Sequence, residues 1–179
     1  MTKTKLLNTL GAILLFLIAV IIMLVSYLSI NKLEYKQSYA YIPHQEKVEV
    51  ELSNEEAITQ INKLNNRTFN VKYIENANFD GQVKLCALID NTIYLNKELA
   101  SNNVKFVWTY AHETMHAVNF CLDECKTQYL TFVFLYESNI NYFKQIALYQ
   151  ASNMLYSTNK EYDATYYIAQ YLKDKQKTA

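Results

Sequence analysis

The sequence predicts an α+β protein in which a small antiparallel sheet is followed by four helices, with a transmembrane helix at the N-terminus. Three observations favour this fold class. An uncharged apolar run fills most of the first thirty residues, β-rich runs occur within residues 69–95, and helical periodicity continues from about residue 102 onward. A helix, then strands, then a run of helices is the order expected of an α+β domain rather than of alternating β–α units.

The apolar run predicts a membrane anchor. No charged residue occurs between Lys5 and Lys32, and residues 10–25 are apolar apart from one glycine. With its apolar flanks the run reaches the ~20 residues that a helix needs to cross a ~30 Å hydrocarbon core. The bulky residues that follow are untypical of a signal-peptide cleavage site, so residues 1–31 are interpreted as a single-pass transmembrane anchor and residues 32–47 as a juxtamembrane linker. A slight excess of positive charge before the run places the C-terminal domain outside the cytoplasm.

Residues 48–179 are enough for one hydrophobic core. Ser53 followed by two acidic residues predicts the start of a helix, and apolar spacing continues that helix to about residue 64. Alternating or β-rich patterns then predict three strands, at residues 69–74, 83–89 and 92–95, with the last two joined by a two-residue hairpin loop at Asp90-Asn91. Helical periodicity predicts four further helices, at residues 102–119, 123–137, 140–157 and 159–173.

Composition excludes several classes of protein. Only 2 Gly and 1 Pro occur, which excludes collagen-like and linker-like chains. The 17 basic and 17 acidic side chains balance, so no overall positive field is available to hold nucleic acid, and no nucleic-acid partner is expected. Three cysteines are too few for a disulfide framework, so the fold must depend on packing, with or without a metal.

The first helix after the predicted strands contains an HExxH motif, from His112 to His116. Residues four apart lie on one face of a helix, so both imidazoles can reach the same metal ion. Glu113 lies one position round the helix, where its carboxylate can act on a water bound to that ion. Shuffling this composition produces the pattern on the order of once in several hundred chains. The motif therefore predicts His112 and His116 as metal ligands and Glu113 as a catalytic residue.

The run Ile93-Tyr94-Leu95-Asn96, followed about fifteen residues later by the HExxH helix, resembles the zincin metallopeptidases. In that superfamily an edge strand precedes the helix and lines the substrate groove. The later helices resemble those of the minimal gluzincins, in which a Glu on a following helix is the third zinc ligand. The resemblance covers about residues 50–175, and HExxH is the one specific motif within it.

The resemblance implies a Zn²⁺-dependent metallopeptidase with a minimal zincin-like domain over residues 48–179. Its zinc would hold a water molecule that attacks a peptide carbonyl, with Glu113 as general base. The polypeptide substrate would lie extended along the strand Thr92 to Asn96 and pair with it through main-chain hydrogen bonds.

Two residues compete for the place of the third zinc ligand. Glu124 is favoured because a turn near residues 120–121 would bring it opposite His116 with few further assumptions. Glu161, in the last predicted helix, has similar neighbours and is the second candidate. Asp123 is expected to cap its helix rather than bind metal.

A structural zinc site is the alternative reading of the same histidines. His112, His116, Cys121 and Cys125 could form a closed His2Cys2 site, and the protein would then be a membrane-tethered, non-catalytic module. This spacing fits poorly, because one four-residue connection would have to fold both pairs of ligands onto a single ion.

Overall fold

The computed structural model describes residues 13–29, 39–83, 91–119, 122–156 and 164–178. The chain divides into two compact units, Met1–Ala40 and Tyr41–Ala179. In the first unit, residues 13–29 are helical and most of their apolar side chains are exposed. The candidate functional site lies in the second unit.

The predicted transmembrane anchor at residues 1–31 is wrong. Within the part of the chain that the structure describes, no helix is both long enough and apolar enough to cross a membrane. The prediction of a single-pass membrane protein, which depended on this anchor, is wrong for the same reason.

Helix α1 of the second unit spans Asn54–Leu64 and begins where the sequence predicts. The Ser53 hydroxyl oxygen accepts a hydrogen bond from the Glu56 N–H, and the Glu56 carboxylate accepts one from the Ser53 N–H. This reciprocal capping box satisfies two N–H groups that no helical carbonyl can reach. Ala57 and Ile61 are fully buried, which confirms the apolar face inferred from their spacing.

Three strands form one mixed sheet in the order β1-β3-β2, with β1 at Asn70–Ile74, β2 at Gly81–Val83 and β3 at Thr92–Asn96. Strand β3 is parallel to β1 and antiparallel to β2. The predicted antiparallel sheet is therefore wrong in one of its two pairings. The chain reverses direction twice, through β2, before it enters the centre of the sheet, so β1 and β3 run the same way.

The predicted hairpin loop at Asp90-Asn91 is also wrong. A two-residue loop there would pair residue 88 with Ile93, whereas Ile93 pairs with Val83. Residues 84–90, which make up most of the predicted strand 83–89, lie outside the described residues. The predicted turn at Asp80-Gly81 is shifted as well, because Gly81 is the first residue of β2.

Four helices follow the sheet, as predicted: α2 at Asn103–Val118, α3 at Glu124–Glu137, α4 at Asn141–Tyr156 and α5 at Thr165–Thr178. The first three agree with the predicted bounds to within one residue at each end. Helix α5 starts later than the predicted residue 159, since Ala164 is not helical and residues 157–163 lie outside the described residues. It continues beyond the predicted residue 173, where Lys175 and Lys177 in its last turn complement the negative end of the helix dipole.

Helix α2 is the central element of this unit. It contacts α1, α3 and α4 as well as strands β2 and β3. Phe106, Val107, Tyr110 and Ala111 are fully buried on it. Packing on several sides fixes the rotation of α2 about its axis, and this rotation determines where the HExxH side chains point.

Candidate metal centre

His112 and His116 lie one turn apart on α2, with their ring centroids 4.8 Å from each other. The two side chains are 13% and 12% exposed. On α2, Phe106 is fully buried, and the Tyr110 hydroxyl donates a 2.7 Å hydrogen bond to the side-chain oxygen of Asn62 in α1. Because the helix is fixed in this rotation, both imidazoles converge on the same place.

Glu124, the favoured third ligand, is the first residue of α3. Asp123 caps this helix by accepting a 3.0 Å hydrogen bond from the Lys126 N–H, which confirms the capping role predicted for it. The Glu124 carboxylate lies 3.0 Å from Nε2 of His112 and 3.1 Å from Nε2 of His116. Among the described residues these three side chains form a group that could hold a metal ion, and all ligand atoms of this metal-ligating group lie within 4.8 Å of one another.

The surroundings of His116 indicate which of its nitrogens carries the proton. Nδ1 lies 3.2 Å from the Thr127 hydroxyl oxygen. The Thr127 hydroxyl can donate its one proton to the Asp123 carbonyl at 3.0 Å or to the Leu122 carbonyl at 3.3 Å, and in either case its oxygen accepts from His116. The proton shared by His116 and Thr127 is therefore on Nδ1, a tautomer that follows from the hydrogen-bond network.

His116 consequently presents a lone pair to Glu124. Burial, followed by the nearby His112, lowers the pKa of His116 and so favours the neutral ring, which in the tautomer assigned above has no proton on Nε2. Hydrogen bonding from His112 is the largest cause that lowers the pKa of Glu124, which keeps this carboxyl ionised. A lone pair and a carboxylate oxygen 3.1 Å apart repel each other unless a cation lies between them. Two imidazole nitrogens and one carboxylate oxygen form a donor set that suits Zn²⁺.

Glu113 lies beside this group but faces different partners. The residue is 7% exposed. Burial raises the pKa of Glu113 to about 7, an effect that the charge of His112 and a hydrogen bond from the Val83 N–H oppose and the charge of Glu124 reinforces. A carboxyl group with such a pKa takes up and releases a proton readily at neutral pH.

The metal-ligating group opens into a cleft of about 390 Å³. His112, Glu113 and Glu124 line it together with residues from α2, α3, α4 and the start of β2, namely Lys105, Trp108, Thr109, Gln128, Gln150, Asp80 and Gly81. These additional residues were not predicted from the sequence, because they come together only through tertiary packing. Among them, only Gly81 could have been singled out from the sequence, because it is the one glycine of residues 41–179.

Strand β3 is not the edge strand that the resemblance implied. It is the central strand and pairs on both sides, so its main chain is not available to a substrate. The prediction that a substrate pairs with Thr92–Asn96 is therefore wrong. Strand β2 is the edge strand that reaches the cleft, through Gly81.

The competing ligands are less well placed or lie outside the description. Glu161 and Cys121 are outside the described residues. Cys125 is half-buried beside Glu124 and does not belong to the metal-ligating group found within the described ranges. The geometry of the described residues thus gives no support to the closed His2Cys2 site.

No family model matches the chain, and the comparisons found no curated protein and no solved structure that matches it.

Proposed function

We propose that this protein is a zinc-dependent peptidase, with His112, His116 and Glu124 as zinc ligands and Glu113 as general base. One observation carries the proposal: three ligand atoms lie within 4.8 Å of one another, and two of these ligands, His112 and Glu124, line a cleft together with the buried carboxyl group of Glu113. Structural zinc sites usually have four protein ligands, whereas catalytic sites have three and leave one position open. The described group has three members and faces the cleft, which favours the catalytic type.

The chemistry follows from the position of Glu113. Zinc held by the three ligands would polarise a peptide carbonyl and lower the pKa of a bound water to about 7. Glu113 accepts a proton from the attacking water as the new C–O bond forms, since its own pKa is about 7. The same carboxyl group then donates that proton to the amine nitrogen as the C–N bond breaks. The water thus contributes its OH to the new carboxyl group and one proton to the new amine.

The substrate in this proposal is a polypeptide that binds in extended form along β2. The Asp80 carbonyl accepts a 2.8 Å hydrogen bond from the Asn96 N–H. Because main-chain groups alternate in direction along a strand, the N–H and C=O of Gly81 and the C=O of Val83 point away from β3. An extended peptide can add itself to an edge of this kind, with Gly81 as the residue of β2 that lines the cleft.

Zinc content and peptidase activity of the full chain test the proposal together. We expect one zinc per chain in the wild type and in Cys125→Ser, and little zinc in Glu124→Gln. Hydrolysis of an unfolded protein substrate such as denatured casein should stop on chelation and return when zinc is added. Full zinc in Glu124→Gln, or loss of zinc in Cys125→Ser, would contradict the ligand set. A zinc-loaded chain that hydrolyses no unfolded protein or peptide library would refute the peptidase proposal and leave the metal site intact.

A further inference from the structure

Gly81 packs against α2 at a distance that leaves no room for a side chain. A Cβ atom at this position would lie 2.7 Å from Cγ of Glu113 and 2.7 Å from Cγ2 of Thr109. It would also lie 3.0 Å from Oε1 of Glu113. Carbon atoms do not pack this closely in a protein interior, so either Glu113 or the strand would have to move.

The backbone conformation of Gly81 does not account for the glycine. No described glycine has a positive φ, and Gly81 lies in a strand register opposite Leu95. Glycine inside a strand lowers its stability, and it commonly marks a place where another group approaches closely. Here the approaching groups are Glu113 and Thr109, which are both buried on α2. Close packing against these two residues is therefore the reason for a glycine at this position.

The same close approach brings a hydrogen-bond donor to Glu113. Val83 is two residues beyond Gly81 in β2, and its N–H points away from β3 by the alternation described above. Hydrogen bonding from the Val83 backbone is one of the causes that lower the pKa of Glu113, so this N–H lies on the side of the carboxylate. Glu113 thus has two neighbours in β2: Gly81 lies against its side-chain carbons, and the Val83 N–H lies near its carboxylate.

We infer that Gly81 is a positioning residue for Glu113. The missing side chain lets β2 lie close enough to α2 for the Val83 N–H to fix the orientation of the carboxylate that the proposed reaction uses. The catalytic consequence rests on the proposed function, whereas the hydrogen bond from Val83 does not. The three atoms nearest to a methyl group at position 81 belong to Glu113 and Thr109 rather than to a metal ligand, so the substitution should spare the metal site.

Kinetics of two variants test the inference. In Gly81→Ala we expect kcat to fall by at least 10²-fold, while KM and zinc affinity stay within about twofold of the wild-type values, since general-base catalysis contributes about 10²–10⁴-fold. Val83→Pro removes the donor and should have the same effect. Proline is tolerated on an edge strand when its missing N–H is not part of the ladder, so this variant keeps the test decisive if Gly81→Ala folds poorly. Lys72→Ala, which changes an exposed residue at the opposite edge strand, is the matched control.

Amide hydrogen exchange at Val83 gives a readout that does not depend on activity. In the zinc-loaded full chain, the Val83 amide should be protected in the wild type and in Lys72→Ala, and should exchange at least tenfold faster in Gly81→Ala and in Glu113→Ala. Unchanged protection in Gly81→Ala would overturn the inference, as would loss of zinc together with kcat in both Gly81→Ala and Val83→Pro. If the wild type binds zinc but hydrolyses nothing, the proposed function fails, and the exchange experiment still decides whether Gly81 positions Glu113.

Discussion

The hydroxyl oxygen of Thr127 lies 3.2 Å from Nδ1 of His116, on the opposite side of the ring from the nitrogen that faces Glu124. Thr127 is 1% exposed, so no bulk water replaces this contact. Its own proton is donated to the Asp123 or the Leu122 carbonyl, which leaves the oxygen to act as an acceptor. A buried side chain of α3 therefore fixes the tautomer and the orientation of a proposed metal ligand on α2.

Thr127→Val should weaken zinc binding by about 10–100-fold, because groups that orient a ligating histidine contribute on this scale. Thr131→Val is the matched control. Thr131 is also buried, and its hydroxyl donates to the Thr127 carbonyl at 2.7 Å, one turn farther along α3. Competition with a chromogenic chelator would measure both affinities. An equal loss in the two variants would mean that the effect comes from helix stability and not from His116.

Glu113→Gln should keep the zinc and lose the reaction. The amide has nearly the shape of the carboxyl group but cannot accept the proton of the attacking water, so we expect kcat to fall by about 10²–10⁴-fold with little change in zinc content. Glu137→Gln is a suitable control, since Glu137 lies at the far end of α3 and pairs with Lys175 and the Tyr171 hydroxyl. Retention of activity in Glu113→Gln would remove Glu113 from the mechanism.

The metal-free protein should become less stable as the pH rises, because the buried carboxyl group of Glu113 must then ionise in the folded state. The folded chain raises the pKa of Glu113 from its ordinary 4.5 to about 7, so the folded state binds this proton more tightly than the unfolded state. The resulting stabilisation is fully present below about pH 4.5 and is lost as the pH rises through about 7. In Glu113→Gln this loss is absent. The Gln variant should therefore be more stable than the wild type at pH 8, by up to about 3 kcal/mol, and equally stable near pH 4.

Urea unfolding in excess chelator at the two pH values would measure this difference. A gap between the two proteins that is the same at pH 4 and pH 8 would show that the substitution acts through packing and not through the titration of Glu113.

Ser53→Ala should lower the free energy of unfolding by about 1 kcal/mol, because it removes the side-chain acceptor that caps α1. Thr59→Ala, an exposed change in the middle of the same helix, should have a smaller effect. Neither substitution should alter zinc content, since α1 contributes no residue to the metal-ligating group. Denaturant midpoints for the three proteins would provide the comparison.

The features that the sequence predicts well are those determined by neighbours along the chain. The caps at Ser53 and Asp123 depend on contacts three residues away, and the convergence of His112 and His116 depends on one helical turn. The approach of Glu124 to His116 needs only a short reversal between two helices. That the three side chains bind zinc stays a prediction.

The features that the sequence could not provide depend on contacts between distant segments. Nothing within residues 69–74 encodes that β1 runs parallel to β3, because strand direction is set by the route of the chain through β2. The pair Asp80-Gly81 is typical of a turn, but here the glycine allows close packing against Glu113.

The short separation of the ligands has a consequence for how the chain folds. His112 and Glu124 are twelve positions apart, so an ion that joins them closes a small loop at little cost in chain entropy. The parallel pairing of Asn70 with Thr92 spans twenty-two positions, and the chain must also run through β2 between these two strands. Zinc can therefore join α2 and α3 into a helical hairpin before the sheet forms. Refolding should be faster with zinc than with chelator, because the ion shortens the search for the native topology as well as stabilising its end point.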